Sequence, residues 1–142
     1  HKLTPQPIPP SDSMTTVPVF YQHTDSIKQQ IFHNNLIRSP VDLVAGHKKD
    51  IIISNKIHSP NNTSNRVVIY GWHRDQDSPI QPVFSGHGAS YADYSHGVRL
   101  ISKSALIDGE PIEVDHILED PVLSGLISDE GTIVKPQYPK SN

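Results

Sequence analysis

"NRVVIYGWH", residues 65–73, is the stretch on which the fold turns. Val67, Val68, Ile69 and Tyr70 are β-branched or aromatic, types that fit a pleated, half-buried surface. The run is short and bounded by polar residues, so it reads as a buried strand. A second apolar run, "DIIIS" (50–54), lies upstream across a long polar loop. Two buried strands joined by such a loop are expected to be sheet neighbours.

Working upstream, "MTTVPVFYQH" (14–23) reads as a short strand that Pro18 confines to an edge or to its first positions. "DSIKQQIFHNNLI" (25–37) sets Ile27, Ile31 and Leu36 at roughly helical spacing, with Asp25 or Ser26 as cap, and reads as a short helix. Lys48 and Lys49 of "GHKKD" read as a solvated turn. Working downstream, "RDQDSPIQPVF" (74–84) reads as a turn followed by an extended, proline-bounded segment. "GVRLIS" (97–102) alternates as a strand. "SALIDGEPIEV" (104–114) holds Asp108-Gly109 between apolar runs, the strongest short hairpin signal in the chain. "VDHILEDPVLSGLIS" (114–128) reads as helical, restarted at Asp120 as N-cap and Pro121 at N1. The sum is an α+β fold with a mainly antiparallel sheet of short strands and two or three short helices.

The 142 residues suffice for one core. Residues 14–131 are expected to form a single α+β domain, with a proline-rich extended arm at 1–13 and an extended C-terminal tail at 132–142. Such ends suit a fragment, so a missing N-terminal segment or another chain is an expected partner. The formal net charge of −3 argues against nucleic acid, which wants a basic face. No run of about 18 apolar residues offers a membrane span. The absence of cysteine removes disulfides, thiolate metal sites and a cysteine nucleophile. Overlapping sequons at Asn61 and Asn62 fit a secreted protein.

Nine histidines are present, and His73, His87 and His96 lie close together in sequence. The last two belong to "SGHGASYADYSHGVRL" (85–100), read as a glycine-rich loop. His87, Asp93 and His96 offer two imidazoles and a carboxylate to a divalent metal such as zinc, leaving a position open for water. The order His…Asp…His resembles that of D-Ala-D-Ala-type peptidoglycan metallopeptidases. Their further histidine motif and catalytic glutamate have only "EVDHILED" as a counterpart here. Without metal, His96 oriented by Asp93 or by His87 could act as a general base, with His73 a further catalytic candidate. Ser85, Ser90 and Ser95 sit in no recognisable nucleophile elbow. The plainer alternative makes Asp93 and Ser95 turn residues bonding their own backbone, with Tyr91 and Tyr94 packed on the sheet. Trp72, Tyr91, Tyr94 and Arg99 are the candidate binding residues. Trp72 is either a pocket wall for a sugar or a core anchor, and Arg99 either an anion contact or a surface ion pair.

The blocks "PIPPSDSMTTVPVF", "LVAGHKKDIIISN", "IYGWHRDQDSPIQPVFSGHGASYADYSHGVRLIS" and "LISDEG" cover most of residues 7–131. Together they resemble a family of uncharacterised, exported proteins, largely bacterial, whose members are longer at the N-terminus. The resemblance implies an extracellular or periplasmic location and makes the "HGASYADYSHG" block part of the family's pattern. It carries no mechanism. The resulting expectation is an exported hydrolase-like domain, metal-dependent or His/Asp acid–base, acting on cell-wall or polysaccharide material. The alternatives are a non-catalytic carbohydrate- or ligand-binding module and a structural extracellular component.

Overall fold

The computed structural model describes residues 8, 10–35, 39, 48–62, 65–73, 78–97 and 100–139. Helix α1 spans Val17–His33 and strand β1 spans Lys49–Ile51. Strands β2 (Arg66–His73) and β3 (Pro79–Gly88) follow. A hairpin of β4 (Ser104–Ile107) and β5 (Glu110–Glu113) leads into α2, Val114–Glu119. The order β1-β2-β3 makes one antiparallel sheet and β4-β5 a second. The fold is therefore α+β. No described helix is long and apolar enough to cross a membrane.

β2 forms where its composition places it, and Val68 and Ile69 are fully buried. It pairs with β1 from Lys49–Gly71 to Ile51–Ile69 and with β3 from Arg66–Gly88 to His73–Pro79. The β2–β3 register slips on either side of Ile69, and such bulges bend a strand and free a backbone group. The freed Val68 N–H donates to the Tyr138 hydroxyl (2.9 Å), which in turn donates to Ile52 O (2.8 Å). The C-terminal segment is thus stitched across β1 and β2, and its Ile133 joins the core. Gly71 takes φ +127°, and a Cβ there would lie 2.4 Å from Lys48 O. Only glycine lets β1 approach β2 this closely.

Five local expectations need correction. Residues 14–23 are not a strand: α1 already starts at Val17, with Pro18 in its first turn. Proline costs no hydrogen bond there, so the residue that suggested an edge strand is equally at home in a helix start. The buried face is His23 and Ile27, four apart and hence one above the other. The helix ends at His33 with Asn34 as its C-cap rather than running to 37. "DIIIS" is not a fully buried strand, because β1 lies at the sheet edge and Ile51 is 54% exposed. Residues 85–88 are not loop but the end of β3. No strand forms in the described part of 97–102, where Leu100 is 94% and Ile101 77% exposed. Val98 and Arg99 lie outside the described residues.

The Asp108-Gly109 hairpin forms as read, with both turn residues at positive φ (53° and 88°). No helix restarts at Pro121: Asp120 is the C-cap of α2, and residues 121–123 form a turn. Asp120 Oδ1 accepts from the N–H groups of Val122 and Leu123, ahead of a 3₁₀ turn at Ser124–Leu126.

Candidate functional site

Asp93 organises the site. It begins a tight turn in which Ser95 N–H (2.8 Å) and Ser95 Oγ both donate to Oδ1. Self-bonding of this kind is what an aspartate two residues before a serine favours. The turn is fastened to β1, since Lys49 N–H donates to Ser95 O (2.7 Å) and Gly97 N–H donates to Lys49 O (3.0 Å). The result is a single parallel bridge between Lys49 and His96. The Lys49 side chain then runs inward to Asp93 Oδ2 at 3.0 Å, where it also meets the Tyr91 hydroxyl, which donates to the same oxygen at 3.0 Å.

Lys49 is 3% exposed, so the solvated-turn reading of the lysine pair fails. A buried ammonium needs a counter-charge, and Asp93 supplies it. Lys48 is also drawn in. Its Nζ donates to Tyr94 O (2.7 Å) and lies 4.3 Å from the centre of the Phe20 ring. Burial lowers its pKa to about 8, against the opposing pull of Asp93. For Asp93, burial alone would raise the pKa. Hydrogen bonds from His96, Ser95 and Lys49 outweigh it and hold the carboxyl well below the usual carboxylate range.

His96 and His87 meet beside this network. Their ring centroids are 5.3 Å apart with planes at 50°, and Tyr91 packs edge-on against both. β3 delivers His87 opposite Val67, while the Asp93 turn delivers His96. His96 Nδ1 accepts from the Asp93 backbone N–H (3.1 Å) and lies 3.2 Å from Asp93 Oδ1. A proton on Nδ1 would replace that bond with one from the ring to the carboxylate, a charge-assisted bond of roughly twice the strength of a neutral one. Nε2 then carries the lone pair. His96 Nε2 and His87 Nδ1 are both buried, and neither has a hydrogen-bond partner among the described residues. Burial, then the nearby Lys49 and His96, lowers the His87 pKa, which keeps that imidazole neutral near pH 7.

Thr16, Val17 and Phe20 from the start of α1 close over Asp93, Tyr94 and His96 to leave a cavity of about 300 Å³. A larger cavity of about 830 Å³ lies against β1, β4 and α2, lined by Ile51, Ile53, Ala105 and Leu118. Among the described residues no histidine lines the larger one, so chemistry is assigned to the smaller.

The expected site residues thus separate. Asp93, His96, His87 and Tyr91 come together. Tyr94 joins them as a core residue, 2% exposed, with its ring 5.0 Å from His23 and its hydroxyl bonded to Ile8 O. Trp72 is the anchor rather than a pocket wall. It is buried and edge-to-face with Tyr94 at 6.0 Å. His73 does not join. It pairs with Pro79 while His87 pairs with Val67, so six strand positions, about 20 Å, separate the two ends. His73 is buried beside Tyr70, its Nε2 3.3 Å from that hydroxyl. The three-ligand set of His87, Asp93 and His96 is not formed either. Among the described residues no group of three such side chains could hold a metal ion, and both Asp93 oxygens are already engaged by Lys49, Tyr91, Ser95 and His96. Lys49 and His23 were missed by sequence reasoning. His23 had a signal, its spacing of four from Ile27; Lys49 had none beyond the need of a buried Asp93 for a cation.

A comparison of the chain with protein-family models, curated proteins and solved structures found no match.

Proposed function

We propose that this chain is an exported, hydrolase-like domain in which His96, oriented by Asp93, is the water-activating residue. One observation carries the reading. A carboxylate held charged by its surroundings lies 3.2 Å from His96 Nδ1, and the opposite ring nitrogen has no partner among the described residues. An imidazole held on one side by a carboxylate, with its other nitrogen unpartnered, is the arrangement from which acid–base action on water or a hydroxyl starts. Ser95 is excluded as the nucleophile because its hydroxyl donates to Asp93, so water is the attacking group. Phe84 and Tyr91 flank His87 with their rings edge-on to it and remain substantially exposed. Rings with apolar faces and polar rims suit the mixed surface of a sugar, which supports cell-wall or polysaccharide material as the substrate class.

The same aromatic strip favours a second reading, a carbohydrate-binding module without catalysis. The two separate on one assay. The protein is incubated with chromogenic aryl esters, anilides and glycosides, and turnover is compared with His96→Ala and with His116→Ala, an exposed residue of α2. We expect His96→Ala to lower turnover by about 10²–10⁴-fold and His116→Ala to leave it unchanged. Sugar binding with no turnover, or turnover indifferent to His96→Ala, overturns the hydrolase reading.

A further inference from the structure

We propose that the smaller cavity beside His96 takes a short acyl group, and that the bond hydrolysed at this site is a carboxylic ester on a sugar hydroxyl. This rests on the reading of His96 as the water-activating residue and names the substrate class on which it acts.

The first argument is the wall of the cavity. Its volume of about 300 Å³ is enclosed by Val17, Phe20, Ala92 and Tyr94, with Thr15 and Thr16 where α1 begins. Two of the hydroxyls in this wall are already used. Thr16 Oγ1 donates to Ser13 O (2.7 Å) and the Tyr94 hydroxyl donates to Ile8 O. A sugar ring brought inside would leave its own hydroxyls unpaired, and a buried polar group without a partner is costly. A short apolar chain carries no such cost.

The second argument is the supply of carboxyl groups. Glycoside hydrolysis ordinarily uses two, one of which arrives protonated to release the leaving oxygen. Asp93 is the one carboxylate among the described residues that line the cavity. Lys49, Tyr91 and Ser95 hold it charged, so it has no proton to give. Asp50, which follows Lys49 on β1, points to the other face of the sheet and lines the larger cavity. A single acid–base group contributes about 10²–10⁴-fold, so the bond must be one that water already attacks readily. In polysaccharide material an acyl ester meets that condition, and amides and glycosides do not.

In the step itself, the oxygen of water bonds to the acyl carbon and the bond from that carbon to the sugar oxygen breaks. His96 passes the proton of water to the departing oxygen. The products are a short carboxylic acid and a free sugar hydroxyl, with nothing oxidised or reduced. Negative charge gathers on the acyl oxygen as water adds, and a fixed cation nearby favours it. Lys48 stands at the same wall, its Nζ 2.7 Å from Tyr94 O and 4.3 Å from the centre of the Phe20 ring. The sugar stays outside, where the exposed Tyr91 ring packs beside His96.

The inference is tested on the full chain at pH 7 with p-nitrophenyl acetate, butyrate and decanoate, with 4-nitroacetanilide and p-nitrophenyl β-glucoside, and by acetate release from acetylated xylan. We expect turnover of the acetyl and butyryl esters, kcat/KM for the decanoyl ester lower by about tenfold or more, and no turnover of the anilide or the glucoside. Val17→Trp fills the cavity from a position that is 65% exposed at the start of α1, so the fold is spared. It should lower kcat/KM for the butyryl ester by about tenfold or more, while His116→Ala leaves it unchanged. Ala92→Leu, at an exposed position of the facing wall, repeats the test, and far-UV circular dichroism confirms that each variant is folded. His96-dependent cleavage of the glucoside with both short esters inert overturns the inference and leaves the hydrolase reading standing. Ester turnover that is indifferent to both cavity-filling variants does the same. If no substrate is turned over, or turnover ignores His96→Ala, the hydrolase reading falls and the inference falls with it.

Discussion

Asp93 and Lys49 form a pair whose side chains are 7% and 4% exposed, and the pair fixes the geometry of everything around it. Removing one member of such a pair leaves an uncompensated buried charge, which costs about 3–5 kcal/mol. Lys49→Met should therefore destabilise the fold by about that much in urea unfolding at pH 7. The Lys49→Met/Asp93→Asn double variant should lose less than the two single losses added together, because residues in contact couple. The pH dependence has a definite sign. The Asp93 carboxyl is held well below its ordinary value in the folded chain. Above about pH 4 it is charged in both states and its stabilisation is complete. Below that the unfolded chain binds the proton first, so the contribution drains as pH falls towards the folded value. Repeating the unfolding at pH 3 should narrow the gap between the unaltered chain and Asp93→Asn. An unchanged gap would mean that the carboxyl is not held low. None of this pairing is readable from sequence. Asp93 and Ser95 announce a turn by their types, but Lys49 lies 44 positions from Asp93, and only the sheet brings them together.

At the scale of elements, the legible ones are those with local signals. β2 is marked by its run of branched residues, and the β4–β5 hairpin by Asp108-Gly109. The hairpin offers a clean test of turn chemistry. Gly109 adopts φ +88°, and a Cβ there would meet nothing within 4 Å. Gly109→Ala therefore isolates the backbone cost, which should appear as a loss of about 1–2 kcal/mol in thermal or urea unfolding. A neutral result would mean that the turn relaxes to negative φ. The illegible elements are those whose local signal has two readings. "TVPVFYQH" is rich in β-formers, yet it is helical from Val17, because burial of Ile27 and of His23, whose ring meets Tyr94, overrides propensity. "SGHG" looks like a flexible connection, yet it continues β3, because pairing with β2 reaches Gly88.

At the scale of the molecule, the sheet edge at β1 is where distant pieces of chain converge. The Asp93 turn bridges Lys49 from one side, and Tyr138 spans Ile52 and Val68 from the other. Ser54 and Asn55 are tied to Glu130 and Thr132. These links join segments that composition alone divided into a domain and a tail. The same convergence explains why the histidines sort as they do. His87 and His96 are six and three positions from Asp93 in sequence, but β3 and the turn bring their ring centroids to 5.3 Å, while His73 travels with β2 to the far end.

The proposed chemistry has one requirement, a lone pair on His96 Nε2. The tautomer of His96 is therefore the most direct test, read from two-dimensional ¹H–¹⁵N correlation of the ring nitrogens in the chelator-stripped chain near pH 7. The account predicts a proton on Nδ1, bonded to Asp93, and an unprotonated Nε2. A neutral ring protonated at Nε2 would contradict it, since that nitrogen could then not activate water.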